Sequence, residues 1–364
     1  MKRIAVYQYR YLPLSQTFIY RQLKGLSRYY ELGLITHGVE NLEEFPGFAP
    51  LVIPPKTLWS RLTRRDDMFF DMHLAGNSLF HVNFGNIALW LEHYAQRAGI
   101  PMTVYFLGVD ASALLKNFLY RYILKRSKFA AVFVNSEDML KRLTPFLPAG
   151  MTCRVVYCGI PLEMFPFKLR SFVPVGATFL QVCRLESKKG VDITLKAFSR
   201  YIKESDPHAR LIIGGDGPLK KDLQLLASSL GLDNNVVFTG YVGYKKYIEL
   251  LQSADAFLQP SVTSENGDME GIPNAICEAM ACGLPVVSTR HAGIPELIED
   301  SVSGFLAEER DINGLYERMV LLSKTDIASI SRRGRSVIER KFDHEKTTAL
   351  LAKYIDCIIS GKCL

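Results

Sequence analysis

The stretch TFLQVCRLESKKGVDITLKAFSRYIKESDPHARLIIG, residues 178–214, decides the fold. It opens on an apolar run (178–184), passes through a basic loop, and continues with apolar residues at helical spacing over about 190–204. A second apolar run, 210–214, follows. Strand, crossover helix and strand make a βαβ unit, whose two strands run parallel. Such crossovers are right-handed in nearly all proteins, so repeating the unit builds a doubly wound sheet.

The rhythm extends both ways. Downstream strands are expected at 235–239, 255–259 and 284–288, with helices near 218–230, 244–253, 273–282, 311–323 and 326–341. Upstream strands are expected at 3–9, 32–37, 79–83, 102–107, 130–135 and 154–158, and helices at 16–29, 86–98, 112–126 and 137–146. The segment FPFKLRSFVPVG (165–176) has two prolines and no period and reads as a linker. The expected fold class is α/β, with two Rossmann-like doubly wound domains facing across a cleft. The first spans 1–168 and the second 169–344; a last helix near 345–359, within 345–364, crosses back onto the first. A chain of 364 residues suits two domains.

Composition narrows the class. Hydrophobic residues make up 48% and charged ones 22%, as in globular chains rather than disordered ones. Runs such as 129–134 fall far short of the ~18–20 residues that span a bilayer. The opening MKRIAVYQYRYLP turns polar too early for a secretory signal. Seven cysteines without a CxxC pair suggest a reducing compartment, so a cytoplasmic location is expected. Residues 1–168 hold 20 Lys+Arg against 12 Asp+Glu, a net of +8, whereas the remainder holds 24 against 25. A basic first half points to an anionic partner: nucleic acid, an anionic membrane surface or a phosphorylated acceptor.

Ligands of open parallel sheets bind beyond the carboxyl ends of the strands, which selects the loops to inspect. After the 178–184 strand stand Arg184 and Lys189. A guanidinium clamps phosphate with two bonds and an ammonium adds a mobile point charge. After 210–214 comes Gly214-Gly215-Asp216-Gly217, which suits a close backbone approach and equally a tight strand-to-helix turn. In DMEGIPNAICEAMACGLPVVS (268–288), Glu270 and Glu278 lie eight residues apart, about 80° around a helix at ~100° per residue. Pro273 suits a helix start, so the amides of Gly271, Ile272 and Asn274 would bind phosphate or carboxylate. Glu278 sits among Ala275, Ile276, Ala279 and Met280, where an unpaired carboxylate is costly and needs a partner. A sugar diol and a neighbouring Arg or Lys both fit.

The run E-GIPNAIC-E, continued by AMACGLPVV and HAGIPELIEDSVSGFL, resembles the retaining glycosyltransferases of family 4 and their E-x7-E motif. VCRLESKKGVDITLKAF, IIGGDGPLKKDL, VVFTGYV and ADAFLQPSV match its later segments. LPLSQTFIYRQL, HVNFG and NSEDMLKRL resemble the branch that builds bacterial exopolysaccharide and lipopolysaccharide. The resemblance covers nearly the whole chain. It implies a GT-B fold with the nucleotide-sugar in the second domain, and transfer of a hexose to a glycan or lipid-linked acceptor. Glu278 would bind the ribose, Arg184 and Lys189 would neutralise the diphosphate, and Glu270 would meet the transferred sugar. The amides of Gly271, Ile272, Pro273-Asn274 and the loop glycines Gly215 and Gly217 would complete the donor side. Ser15, Gln16, Thr17, Asn83, Gly85, Gly108 and Asp110 would form the acceptor side. Domain closure would exclude water. No D-x-D triplet occurs, so no metal and no cofactor are expected beyond the donor itself. Nucleic acid is then not an expected partner.

One departure stands out. Family members often carry His-Gly-x-Asp where this chain has Leu107, Gly108 and Asp110 in FLGVD. His81 is assigned a structural role, and His37 and His291 have a lesser claim on the ligand. The stretch 112–129 reads as one helix that interleaves Leu, Phe and Tyr with Lys116, Arg121, Lys125, Arg126 and Lys128. It suits an ordinary surface helix, or a face on anionic lipid at ~1 kcal/mol per basic residue; Trp59, Arg61, Arg64 and Arg65 add a second basic cluster. The alternative from another class is a non-catalytic nucleotide-sugar-binding subunit, prompted by Leu107. A phosphorylase or epimerase ranks below these, and a dinucleotide oxidoreductase lacks its G-x-G-x-x-G.

Overall fold

A computed structural model of the chain describes residues 1–11, 17–43, 45–54 and 65–362. It divides into two compact units, Met1–Gly159 with His344–Leu364, and Ile160–Asp343. The first boundary therefore precedes the expected 168/169. The reason is local: residues 160–168 bond within the second unit. The Ile160 N–H donates to the Phe342 carbonyl at 2.7 Å, the Lys168 N–H to the Cys282 carbonyl at 3.2 Å, and the Phe165 ring is fully buried.

The second unit is a six-stranded parallel sheet of β8 (Thr178–Val182), β9 (Arg210–Gly214), β10 (Val236–Gly240), β11 (Ala256–Gln259), β12 (Val286–Thr289) and β13 (Phe305–Ala307), in the order β10-β9-β8-β11-β12-β13. The order reverses between β8 and β11, the switch point where open sheets bind ligands. Its strands read as continuous apolar runs because helices cover both faces. Val191, Leu195, Phe198 and Tyr201 of helix Val191–Glu204 recur at helical spacing and are all buried against Phe179, Leu211 and Leu258 of the sheet. Gly190 precedes this helix at φ 63°, and a Cβ there would lie 1.9 Å from the Pro260 carbonyl oxygen. Only glycine lets the loop after β8 lie against the loop after β11.

In the first unit, β1 (Arg3–Tyr11), β2 (Glu31–Val39), β3 (Leu51–Val52), β4 (Phe80–Asn83), β5 (Met102–Phe106), β6 (Ala131–Val134) and β7 (Cys153–Val155) form a parallel sheet in the order β3-β2-β1-β4-β5-β6-β7. Its switch point lies between β1 and β4. One face packs against helices Arg65–Leu74 and Gly85–Arg97. The other face meets helix Thr17–Leu26 and the last helix, His344–Ile359, whose Leu351, Ala352 and Ile355 join Ile19, Leu23 and Phe133 in one core. A Cβ on Gly25 would lie 2.5 Å from Thr348 Oγ1, so these two helices touch at a glycine.

Two expectations change. The short strands β3 and β13 carry two and three residues, too few to show a period in the sequence. The single helix read over 112–129 is broken: a 3-10 turn at Ala113–Lys116 ends at Asn117, whose extended backbone and side chain cap a separate helix, Phe118–Leu124. The Asn117 carbonyl oxygen of the side chain accepts the Tyr120 N–H at 3.2 Å. Asparagine favours such a cap over a helix interior.

Candidate active site

The loops at the carboxyl ends of β8, β11, β12 and β13 bring together most of the expected second-unit residues. Lys189 Nζ lies 2.6 Å from Glu270 Oε1, and both side chains are largely buried. Lys188, which the sequence reading passed over, pairs with Asp268 Oδ2 at 2.8 Å and is likewise buried. Burial alone would push the Glu270 carboxyl up, but the ammonium groups of Lys189 and Lys188 overcome this and hold it down at about 2. Arg184 stays apart: half-exposed, it pairs with Glu186 at 2.7 Å. Of the two cations expected to meet a diphosphate, Lys189 pairs with Glu270 and Arg184 with Glu186. Gln181 of β8, fully buried, secures that loop by donating from Nε2 to the Lys189 carbonyl at 2.9 Å.

Gly271, Ile272 and Pro273 are buried and lead into helix Asn274–Ala281, with Pro273 as its N-cap. Glu278, on the first turns of that helix, is only 7% exposed, which rules out a solvated helix acid. The Tyr247 hydroxyl, from helix Tyr244–Ser253, donates to Glu278 Oε2 at 2.9 Å. One partner of Glu278 is thus a tyrosine hydroxyl, a neighbour the sequence does not suggest. Gly215 and Gly217 have a packing reason of their own. A Cβ on either would lie 1.9 Å from the Cys183 carbonyl oxygen or 2.6 Å from that of Leu185, so they let the loops after β9 and β8 meet.

His291 is fully buried after β12. The Glu270 backbone N–H donates to His291 Nε2 at 3.0 Å, and His291 Nδ1 lies 2.6 Å from Glu309 Oε1. Because the amide is the donor, Nε2 presents a lone pair, and the ring proton sits on Nδ1, donated to Glu309. Glu309 also accepts the Thr263 N–H at 2.8 Å. Burial pushes the Glu309 carboxyl up, but the Thr263 N–H and His291 outweigh that and leave it below its ordinary value.

In the first unit, Ser15 and Gln16 lie outside the described residues, as do Trp59, Arg61 and Arg64. Thr17 opens helix Thr17–Leu26 and is half-buried. Asn83, at the end of β4, is fully buried, and neither of its side-chain amide atoms has a hydrogen-bond partner among the described residues. The next residue, Phe84, holds φ 71°, a strained backbone for a side chain of its size. Gly85 is forced by packing, since a Cβ would fall 2.0 Å from the Phe106 ring. Asp110, expected to face an acceptor, is instead fully buried and spends its carboxylate on backbone. It accepts N–H groups from Gly85 (2.8 Å), Leu107 (3.1 Å) and Gly108 (2.9 Å). Burial raises its carboxyl, and those three amides pull it back. Leu107 packs against the core around Tyr11, Ile19 and Phe133. His81 is structural: fully buried, 2.8 Å from Thr103 Oγ1, and pushed by burial down to about 4, so it is neutral. His37 Nδ1 lies 2.6 Å from the Tyr7 hydroxyl.

Residues 174–334 match the family model described as glycosyl transferases group 1. The amylovoran biosynthesis glycosyltransferase AmsK of Erwinia amylovora is 34% identical over 292 residues, which cover 76% of this chain and 70% of that protein. The chain belongs to the group 1 glycosyltransferases. This glycosyltransferase is also 38% identical over 266 residues to WcaL of Escherichia coli, a protein named for colanic acid biosynthesis, covering 64% of this chain and 65% of that one. It thus spans about two thirds of the length of these relatives. Among solved structures, Anabaena HepE, described in complex with UDP and glucose, superposes with a TM-score of 0.80 at 18% identity, covering 98% of this chain and all of that one. Sucrose-phosphate synthase of Thermosynechococcus elongatus gives 0.78 at 16% identity over the whole of both chains. The glycosyltransferase therefore has the GT-B fold.

Proposed function

We propose that the chain is a retaining hexosyltransferase of family 4. It moves a sugar from a nucleotide diphosphate donor to a lipid-linked glycan during synthesis of a bacterial cell-surface polysaccharide. The relatives' names, for amylovoran and colanic acid biosynthesis, support the polysaccharide. The observation that carries the site is the buried Lys189–Glu270 pair beside the start of helix Asn274–Ala281, at the switch point of the second sheet. A helix start and an ammonium favour the charge that develops on a departing diphosphate.

In this reading Glu278, aimed by Tyr247, holds the ribose hydroxyls. Lys189 and the more exposed Arg184 meet the diphosphate, with Gly215 and Gly217 in the neighbouring loop, and Glu270 holds hydroxyls of the transferred hexose. The bond from the anomeric carbon to the diphosphate oxygen breaks as the acceptor oxygen bonds that carbon from the same face. The acceptor proton passes to the leaving diphosphate. No metal or other cofactor enters. The unpaired amide of Asn83, with Thr17, Gly85 and Gly108 near the same sheet edge, supports acceptor binding by the first unit. Glu278→Ala and Lys189→Ala are each expected to abolish transfer in protein that remains folded by circular dichroism, Lys189→Ala being the less stable because it leaves buried Glu270 without its ammonium; turnover near wild type in either refutes the site.

The reading includes a cytoplasmic enzyme resting on anionic lipid. Phe118, Leu119, Tyr122 and Ile123 stand exposed on helix Phe118–Leu124 beside Arg121, Lys125 and Arg126, an apolar stripe bordered by cations. No described helix is long and apolar enough to cross a membrane. Binding to phosphatidylglycerol vesicles should fall at least tenfold in Phe118→Glu/Ile123→Glu; no binding by the wild type removes this part. A second reading, a non-catalytic donor-binding subunit, draws on Leu107 packed into the core where the family often has His. Tight binding of a nucleotide-sugar with neither hydrolysis nor transfer would favour it.

A further inference from the structure

The three loops after β11, β12 and β13 are joined by hydrogen bonds that end on Glu270 and Gly271. Thr263, after β11, gives Glu309 its N–H at 2.8 Å and its hydroxyl at 3.3 Å. Glu309, after β13, accepts a hydrogen bond from His291 Nδ1–H at 2.6 Å. His291, after β12, takes the Glu270 N–H at 3.0 Å, and two residues on the Gly293 N–H bonds the Gly271 carbonyl at 3.3 Å. The residues that follow His291 and Glu309, Ala292 (φ 45°) and Arg310 (φ 64°), hold left-handed backbone without being glycine. Such conformations persist where the surroundings over-determine them, and they cluster at functional sites.

We propose that His291 and Glu309 are positioning residues for Glu270 and the amides of Gly271–Asn274. Glu309 fixes the imidazole as the Nδ1–H tautomer, and Nε2 then holds the Glu270 amide so that its carboxylate and the next amides face the donor. The inference rests on the donor site proposed above. It makes the imidazole a brace and not a catalytic acid or base, since Nε2 accepts from an amide and Nδ1–H donates to a carboxylate. Neither nitrogen is left to touch substrate. The role needs the ring's two nitrogens at a fixed separation, which the sequence pair His291…Glu309 supplies only when β12 and β13 are neighbours.

Three measurements on the full chain test it. Nitrogen NMR of the histidine-labelled protein should show His291, assigned by the loss of its signals in His291→Phe, as neutral with the proton on Nδ1. A proton on Nε2 overturns the proposal. Amide exchange over residues 270–274 should quicken at least tenfold in His291→Phe while β12 stays protected; equal exchange also overturns it. Turnover is read with whichever of UDP-glucose, UDP-galactose and GDP-mannose the wild type uses. His291→Phe should lower kcat roughly 100-fold, the cost of misplacing a site by about an ångström. The donor KM should stay within threefold, and His291→Gln, which restores an acceptor at Nε2, should recover about tenfold. The double variant with Glu270→Gln should be slower than Glu270→Gln alone by far less than about 100-fold, because much of the His291 effect acts through Glu270. Losses that multiply overturn the positioning role. If Glu270→Gln turns over like wild type, or none of the three donors is used, the donor-site reading fails instead, and the tautomer and the exchange rates still decide the brace.

Discussion

Glu270 and Glu278 stand on one short segment and are stabilised in different ways. Glu270 is held ionised by two lysines and has a carboxyl at about 2, against an ordinary 4.5. A carboxyl depressed in the folded state stabilises the fold above its unfolded value and loses that contribution as pH falls through the folded one. Glu270→Gln should therefore destabilise the protein at neutral pH by a few kcal/mol, and the difference from wild type should shrink from about pH 4.5 towards 2; chemical denaturation across that range measures it. A gap that widens on acidification contradicts the Lys189–Glu270 pairing. Glu278 leans on a neutral donor. Tyr247→Phe leaves its carboxylate one hydrogen bond short and should cost roughly 1–3 kcal/mol, with weaker nucleoside diphosphate binding in calorimetry. At this scale the sequence showed which acids do not belong to a solvated helix, because Glu278 has apolar neighbours on both sides. It did not show Tyr247, His291 or Glu309 as their partners. Those contacts join positions 31, 21 and 18 residues apart and exist only once the loops are assembled.

Among the elements, the alternation of strand and helix was legible from β8 to β12, since each of those strands is a short apolar run, whereas the three-residue β13 was missed. Helix Tyr244–Ser253 falls on the bounds read from the sequence, and β9 does too. What failed was the stretch 112–129, where apolar spacing continued across Asn117 but the side chain of that asparagine bonds the backbone and restarts the helix. Asp110 misled for a similar reason: a motif acid near a loop reads as a ligand contact, yet three amides of its own and the neighbouring loop claim it. Asp110→Asn should accordingly lower stability and disturb the 107–110 loop before it affects donor binding. Gly190 offers the sharper test of an element. Gly190→Ala meets both a left-handed φ, at roughly 1–3 kcal/mol, and an overlap with the Pro260 carbonyl. It should lower the melting temperature and loosen the loop that carries Lys188 and Lys189; an unchanged melting temperature contradicts the described contact between the two loops.

For the molecule as a whole, both units repeat one plan: three strands wound outward from the centre, then a return across the first strand. That plan puts Asn83 of the first sheet, without a side-chain partner among the described residues, and the second sheet's two lysine–carboxylate pairs at carboxyl edges beside switch points. The last helix belongs to the first unit because its apolar face completes a core begun by helix Thr17–Leu26, and the Tyr30 hydroxyl donates to the Ala352 carbonyl at 2.8 Å. A chain ending at Asp343 should show faster amide exchange in Thr17–Leu26 than the full chain does.

The central claim is that the second unit's site binds a nucleotide diphosphate sugar through Lys189, Glu270 and Glu278. Calorimetric titration of UDP, GDP and their hexose conjugates into the wild type, Lys189→Ala and Glu278→Ala measures it most directly. One base is expected to bind at a single site in the wild type, with affinity at least tenfold lower in each variant at a temperature where each remains folded. Binding of the same nucleotide with wild-type affinity by both variants would contradict the account.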